Sequence, residues 1–170
     1  MGILGRIVKG IAVLGIAAVG STAVSSCHHI DNHRLHVTYV NVTFRSEGEW
    51  VVYGVSGAGL YKRFILSENI PQGFPYSAYS STGMGGILLC TTYYGVPVAY
   101  DLSCPVECSP SVKVFINDEN VAECPKCGSR YDVFEKLGYP IAGKAAEDGY
   151  GMQVYRVSDG VQGNYKVISL

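Results

Sequence analysis

The chain has 170 residues, 13 basic and 14 acidic side chains and a formal net charge of −1. No basic face is available to track a phosphate backbone, so nucleic acid is excluded as a partner. Thirteen tyrosines, 21 glycines and a charged fraction of 16% suit short strands joined by tight turns, in a chain long enough for one domain with a real core.

The first 26 residues are laid out as a signal peptide: Arg6 and Lys9, a mostly apolar run from Ile11 to Val19, then small residues up to Ser26. The run falls short of the about 20 apolar residues a bilayer span needs, which makes a permanent transmembrane helix the weaker reading. The last residues, "VSSC", resemble the lipobox of bacterial lipoproteins, in which the cysteine, here Cys27, is lipidated and becomes the new N-terminus. The expectation is a bacterial envelope protein on the periplasmic or surface side, joined to the membrane through its lipid anchor. Each buried methylene of such an anchor contributes about 0.8 kcal/mol. Ordinary signal-peptidase cleavage nearby, with Cys27 a bystander, is the alternative.

Residues 27–36, "CHHIDNHRLH", are mostly polar and hold all four histidines of the chain. Four imidazoles beside a terminus lack the fixed geometry of a metal site, so a solvated tether is expected. From residue 37 to 170 the pattern predicts a single all-β domain. The strands expected in order are "RLHVTYVNVTF", "EWVVYGVS", "YKRFIL", "GGILLCTTYY", "VPVAYDL", "VKVFI", "VAEC", "YDVF", "MQVYRVS" and "NYKVISL". Turn residues separate them in "SGAG", "IPQGFP", "STGMGG", "NDEN", "KLGYP", "EDGYG" and "SDG". The glycines of "GFPYSAYSSTGMGG" lack the flanking Lys-Ser or Gly-x-Gly-x-x-Gly context of a phosphate cradle and read as an irregular turn. Cys90, inside an apolar strand, is expected to be a buried free thiol.

Four other cysteines come in two pairs, Cys104 and Cys108 in "SCPVECSP", Cys124 and Cys127 in "ECPKCGSR". A C-x2-C pair followed by Gly128 forms a knuckle, because glycine allows close backbone approach and amides can then point at sulfur. The looser C-x3-C pair lies within the spacing seen at tetrahedral thiolate sites, and four thiolates suit zinc or iron. Disulfides remain open, since a secreted chain meets an oxidising compartment; Cys104–Cys124 and Cys108–Cys127 are the pairings considered.

These loops resemble those of the Rieske [2Fe-2S] domain over approximately residues 84–170: "VPVAYDLSCP" resembles the first cluster loop, and "CPKCGSRYDVFEKLGYPIAGKA" the second. The resemblance implies an all-β, Rieske-like antiparallel sandwich with a small rubredoxin- or zinc-ribbon-like metal-loop subdomain. It places Cys104 and Cys124 at the family's cysteine-ligand positions. Val106 stands where the first histidine ligand is expected and Cys127 where the second is, and no histidine follows His36. Ser109 and Lys126 occupy the positions of the family's loop-to-loop disulfide. Ser129 and Tyr131 are implied as hydrogen-bond donors to a bridging sulfide and a ligand cysteine. Lys144 replaces a proline in the covering loop.

The sequence thus points to an envelope lipoprotein whose Cys104, Cys108, Cys124 and Cys127 hold a metal centre, a [2Fe-2S] cluster or a single metal such as zinc. Electron transfer with an unidentified redox partner is the leading role. The alternative is a non-redox binding or structural module, with structural zinc or disulfides at the same cysteines and Tyr76, Tyr79, Tyr93 and Tyr94 offered to a partner. No catalytic residue is expected, because no histidine lies in the domain to serve a nucleophile; Asp101, Glu107, Asp132 and Glu135 read as surface or turn residues.

Overall fold

A computed structural model describes residues 29–36, 38–159 and 165–168. The expected leader and Cys27 lie outside these residues. The strands are β1 (Val40–Thr43), β2 (Tyr61–Phe64), β3 (Ser81–Thr82), β4 (Ile87–Thr91), β5 (Pro97–Asp101), β6 (Phe115–Ile116), β7 (Ala122–Glu123), β8 (Arg130–Asp132), β9 (Tyr139–Ala142), β10 (Val154–Asp159) and β11 (Tyr165–Ile168), with two short helices, α1 (Glu47–Tyr53) and α2 (Lys144–Asp148). They form a seven-stranded sheet in the order β2-β4-β5-β10-β11-β1-β3 and a four-stranded sheet in the order β6-β7-β8-β9. Every pairing between these strands is antiparallel. The fold is all-β, as expected.

The large sheet is buried on both faces at its centre, which is why β4 reads as the continuous apolar run "ILLCT" and not as an alternation. Ile87, Leu89 and Ala99 face one cluster with Val40, Val42, Phe44, Trp50, Phe64 and Phe74. There Phe44 meets Trp50, Phe64 and Phe74 edge to face at centroid separations of 4.9, 5.6 and 5.3 Å, the geometry aromatic quadrupoles prefer. Leu88, Cys90 and Tyr100 face the other way and share a second cluster with Cys104, Ala122, Cys124, Tyr131 and Val133 from the cysteine loops and the small sheet. The cysteine loops are therefore built over the core and not at its rim.

Three sequence expectations are corrected. "EWVVYGVS" is mostly helix: Ser46 caps α1 by accepting from the Glu49 amide at 3.2 Å, and the Glu49 carboxylate accepts in turn from the Arg45 amide at 2.7 Å. That reciprocal cap outweighs the strand preference of Trp, Val and Tyr. Residues 31–35 do not float as a tether: the Asp31 amide donates to the Gly149 carbonyl (2.8 Å), its carbonyl accepts from the Gly151 amide (2.9 Å), and Leu35 is buried. His29, His33 and His36 of the histidine-rich segment are exposed.

The third correction is Asp101, which is wholly buried. Its carboxylate accepts from the amides of Met84 (2.8 Å), Gly85 (3.0 Å) and Ser103 (2.7 Å) and from the Tyr155 hydroxyl (2.6 Å). The glycines of "STGMGG" are what let the chain wrap this group. A Cβ at Gly83 would stand 2.7 Å from the carboxylate, and one at Gly85 2.3 Å from Ser103 Oγ. The loop is an anion cradle after all, but its anion is internal.

Cys90 is the buried free thiol expected, its sulfur 3.6 Å from the Val133 carbonyl. Burial pushes its pKa from 9.0 up to about 12. An unfolded chain ionises this thiol near 9.0 while the native state keeps the proton, so stability that is intact below pH 9 is lost as pH rises toward 12. The expected slope is about 1.4 kcal/mol per pH unit from this group. Urea unfolding at pH 8 and above should show a shallower alkaline decline for Cys90→Ala than for the native chain; equal slopes would show that this thiol already ionises in the fold.

Candidate metal centre

Cys104 follows β5 on a loop that doubles back on itself. The Cys104 amide donates to the Val112 carbonyl (2.9 Å) and the Val114 amide to Leu102 (2.8 Å), while the Cys108 amide closes a turn onto the Cys104 carbonyl (2.9 Å). Cys124 follows β7 directly, and the knuckle between β7 and β8 is closed by the Cys124 amide on Ser129 (2.9 Å) and the Gly128 amide on Cys124 (3.0 Å). Gly128 takes φ +66° there, which glycine adopts without the steric cost other residues meet.

The two loops bring the sulfurs of Cys104, Cys124 and Cys127 within 4.8 Å of one another. Cys104 and Cys127 are 3.7 Å apart. Cys104 and Cys124 are buried and Cys127 half-buried. All are free thiols, so neither disulfide considered from the sequence is formed.

Cys108 is not in this group. It is exposed, with φ +47°, and its sulfur lies 3.1 Å from the Pro105 carbonyl and 3.9 Å from the Arg34 guanidinium. Its sulfur bonds back to its own loop and to Arg34 instead of joining the other thiols, which spacing alone does not reveal. Val106 packs against the core beside the site as an apolar side chain.

The groups around the sulfurs are polar and directed. The Tyr131 hydroxyl is 3.7 Å from Cys104 Sγ, and its own pKa is raised by burial and by the neighbouring cysteines, so it remains a donor. Ser129 Oγ is 3.2 Å from Cys127 Sγ and accepts from the Ala145 amide at 3.1 Å, which ties the knuckle to α2. Gly143 permits that approach: a Cβ there would be 3.1 Å from Ser129 Cα, and the residue sits at φ +71°.

The thiols are tuned apart. Burial pushes Cys104 up to about 12 against opposing hydrogen bonds from the Glu107 amide and Tyr131. Burial also acts on Cys127, but the Ser129 hydroxyl and amide and the two other cysteines outweigh it, and its pKa falls. Cys127 thus ionises more readily than Cys104, whose proton a bound metal would have to displace.

Lys126 and Glu107 form an ion pair between the loops, at one of the two positions where the resemblance places half of a disulfide. Glu107 is thereby a loop clasp and not a free surface charge. Asp132 accepts from the Phe134 and Glu135 amides (3.2 and 2.9 Å) as a turn residue, and Glu135 is exposed. Tyr79, Tyr93 and Tyr94 are exposed, whereas Tyr76 packs on Phe74.

These cysteines form a site that can hold a metal or an iron–sulfur group. No family model matches the chain, and no curated protein matches it. Among solved structures it is similar to a quaternary ammonium Rieske monooxygenase, CntA, in complex with L-carnitine, at 13% identity and a TM-score of 0.46 over 78% of this chain. A second structure of a quaternary ammonium Rieske monooxygenase, described in connection with carnitine oxidation by gut microbiota, gives the same identity, TM-score and coverage. The chain spans 32% and 30% of the two.

Proposed function

We propose that this chain is a lipid-anchored envelope protein that holds a single metal ion on Cys104, Cys124 and Cys127, and that with iron in the site it carries electrons. The observation that carries this reading is the convergence of three thiols within 4.8 Å. In a tetrahedral site with metal–sulfur bonds of about 2.3 Å, neighbouring sulfurs stand about 3.8 Å apart, and Cys104 and Cys127 are 3.7 Å apart.

A two-iron cluster takes four protein ligands, and the described residues bring three thiols to one place. Val106 cannot ligate and Cys108 is turned outward, so the residues as arranged do not complete a [2Fe-2S] ligand set. A single ion can complete its tetrahedron with a water beside three thiolates, and that difference favours one metal. Hydrogen bonds aimed at sulfur by Tyr131 and the backbone are what set the potential of an iron–thiolate centre, and half-buried Cys127 gives an electron a path to the surface. Zinc on the same three thiolates would be colourless and redox-silent, with its fourth position left to water or another ligand.

Elemental analysis of protein expressed with iron and zinc both supplied tests this reading. One iron per chain, with visible absorption that bleaches on reduction, is expected. Two irons with matching acid-labile sulfide would replace the single metal by a cluster, one zinc would leave a redox-silent centre, and no metal would remove the site.

A further inference from the structure

We propose that the outer face of β9 lies on the membrane surface, so that the cysteine loops are held close to the bilayer; this rests on the lipid-anchor reading of Cys27. The first argument is reach. Asp31 is fixed by backbone hydrogen bonds to Gly149 and Gly151, and only four peptide steps separate it from Cys27. Four residues span at most about 14 Å. Whatever path they take, the backbone of the lipid-bearing Cys27 stays within that distance of Asp31, beside the segment after α2.

The second argument is the surface found there. Next to Gly151 is Gly138, whose carbonyl accepts from the Met152 amide at 3.0 Å. From Gly138 the chain runs into β9, the edge strand of the small sheet. Leu137, Tyr139 and Ile141, at alternate positions, are 58%, 43% and 40% exposed, while Gly138 and Pro140 between them are buried. A row of two aliphatic side chains flanking a tyrosine, with exposed Lys136 beside it, is the composition that settles at a headgroup boundary: apolar bodies below, a hydroxyl and an ammonium above.

The consequence concerns the partner. β9 pairs with β8, which starts three residues after Cys127, and α2 ties Gly143–Ala145 to Ser129. A molecule resting on β9 presents its metal loops beside the bilayer, where the accessible exchange partners are membrane-embedded or membrane-surface proteins.

The test uses the full chain, processed in a bacterial host and reconstituted in phosphatidylethanolamine–phosphatidylglycerol vesicles with brominated acyl chains. Trp50 is the only tryptophan and is buried, so Tyr139→Trp and Tyr79→Trp each add one exposed reporter to a common background. Bromine quenching of the Tyr139→Trp signal should exceed that of Tyr79→Trp by roughly twofold or more, as for an aromatic group at the interface. Mass spectrometry of the same samples reports whether Cys27 carries lipid. Lipidated protein with equal quenching at both positions would overturn the orientation and leave the anchor standing. Protein without lipid at Cys27 would overturn the anchor and this proposal with it.

Discussion

Replacing Cys124 with Ser is expected to empty the metal site, and Cys104→Ser and Cys127→Ser to do the same, while Cys108→Ser leaves metal content unchanged. Each of the first three removes one of three converging sulfurs. The loss in affinity should exceed the roughly 100-fold that an outer-shell change costs, because a hydroxyl is a poor substitute for thiolate with soft or borderline metals. The effect on folding follows from linkage, since metal bound only by the native state stabilises it and its loss removes that increment. Cys108→Ser is the informative control. Its sulfur contacts Pro105 and Arg34, so replacing it disturbs two weak sulfur contacts and none of the three converging thiols. Equal metal loss in all four variants would mean that Cys108 turns inward when metal binds, restoring the four-thiolate site read from the sequence.

The second large effect is expected at Asp101. Asp101→Asn keeps the shape of the side chain but puts an amino group among three backbone amides that all donate to the carboxylate. Hydrogen bonds to a charged group contribute about 1.5–3 kcal/mol each, and a buried donor left without an acceptor adds its desolvation cost. A loss on the order of 3 kcal/mol or more is expected on that scale, which lowers Tm by roughly 6–12 °C at the usual 2–4 °C per kcal/mol for a chain of this size. Because Ser103 precedes Cys104, metal affinity should fall as well. Tyr155→Phe removes one of the four donors to the same carboxylate and should cost about 1.5–3 kcal/mol. Thermal unfolding of the two variants side by side checks the ranking; an Asp101→Asn protein no less stable than Tyr155→Phe would refute the cradle.

How much of this was readable in the residues depended on which force dominated locally. Strands β4, β5 and β11, and all of β10 except Asp159, lie inside segments whose apolar and β-branched runs predict them, because burial on the sheet decides those positions. The α1 segment was misread since "WVVY" has strand preference, although the Ser46-x-x-Glu49 cap was present and outweighs it. β9 was hidden by Gly138 and Pro140, which look like a turn; at the edge of a sheet a proline needs no ladder partner for its missing N–H.

The site divided in the same way. Convergence of Cys104, Cys124 and Cys127 follows from two loops at neighbouring hairpin ends, a local pattern with a recognisable knuckle. The outward turn of Cys108 depends on its sulfur's contacts with Pro105 and Arg34, and the burial of Asp101 depends on four donors, from Met84, Gly85, Ser103 and Tyr155. The donors Met84, Gly85 and Tyr155 are 17, 16 and 54 residues from Asp101 in the chain, and such contacts leave no periodic trace in it.

A cobalt(II) titration of the metal-free protein, followed by its thiolate-to-cobalt absorption, tests the central claim most directly. The account predicts one equivalent at saturation, a tetrahedral spectrum with charge-transfer intensity matching three thiolates, and the same endpoint in Cys108→Ser. Saturation at two equivalents, or no thiolate-to-cobalt band at all, would contradict a single ion shared by Cys104, Cys124 and Cys127.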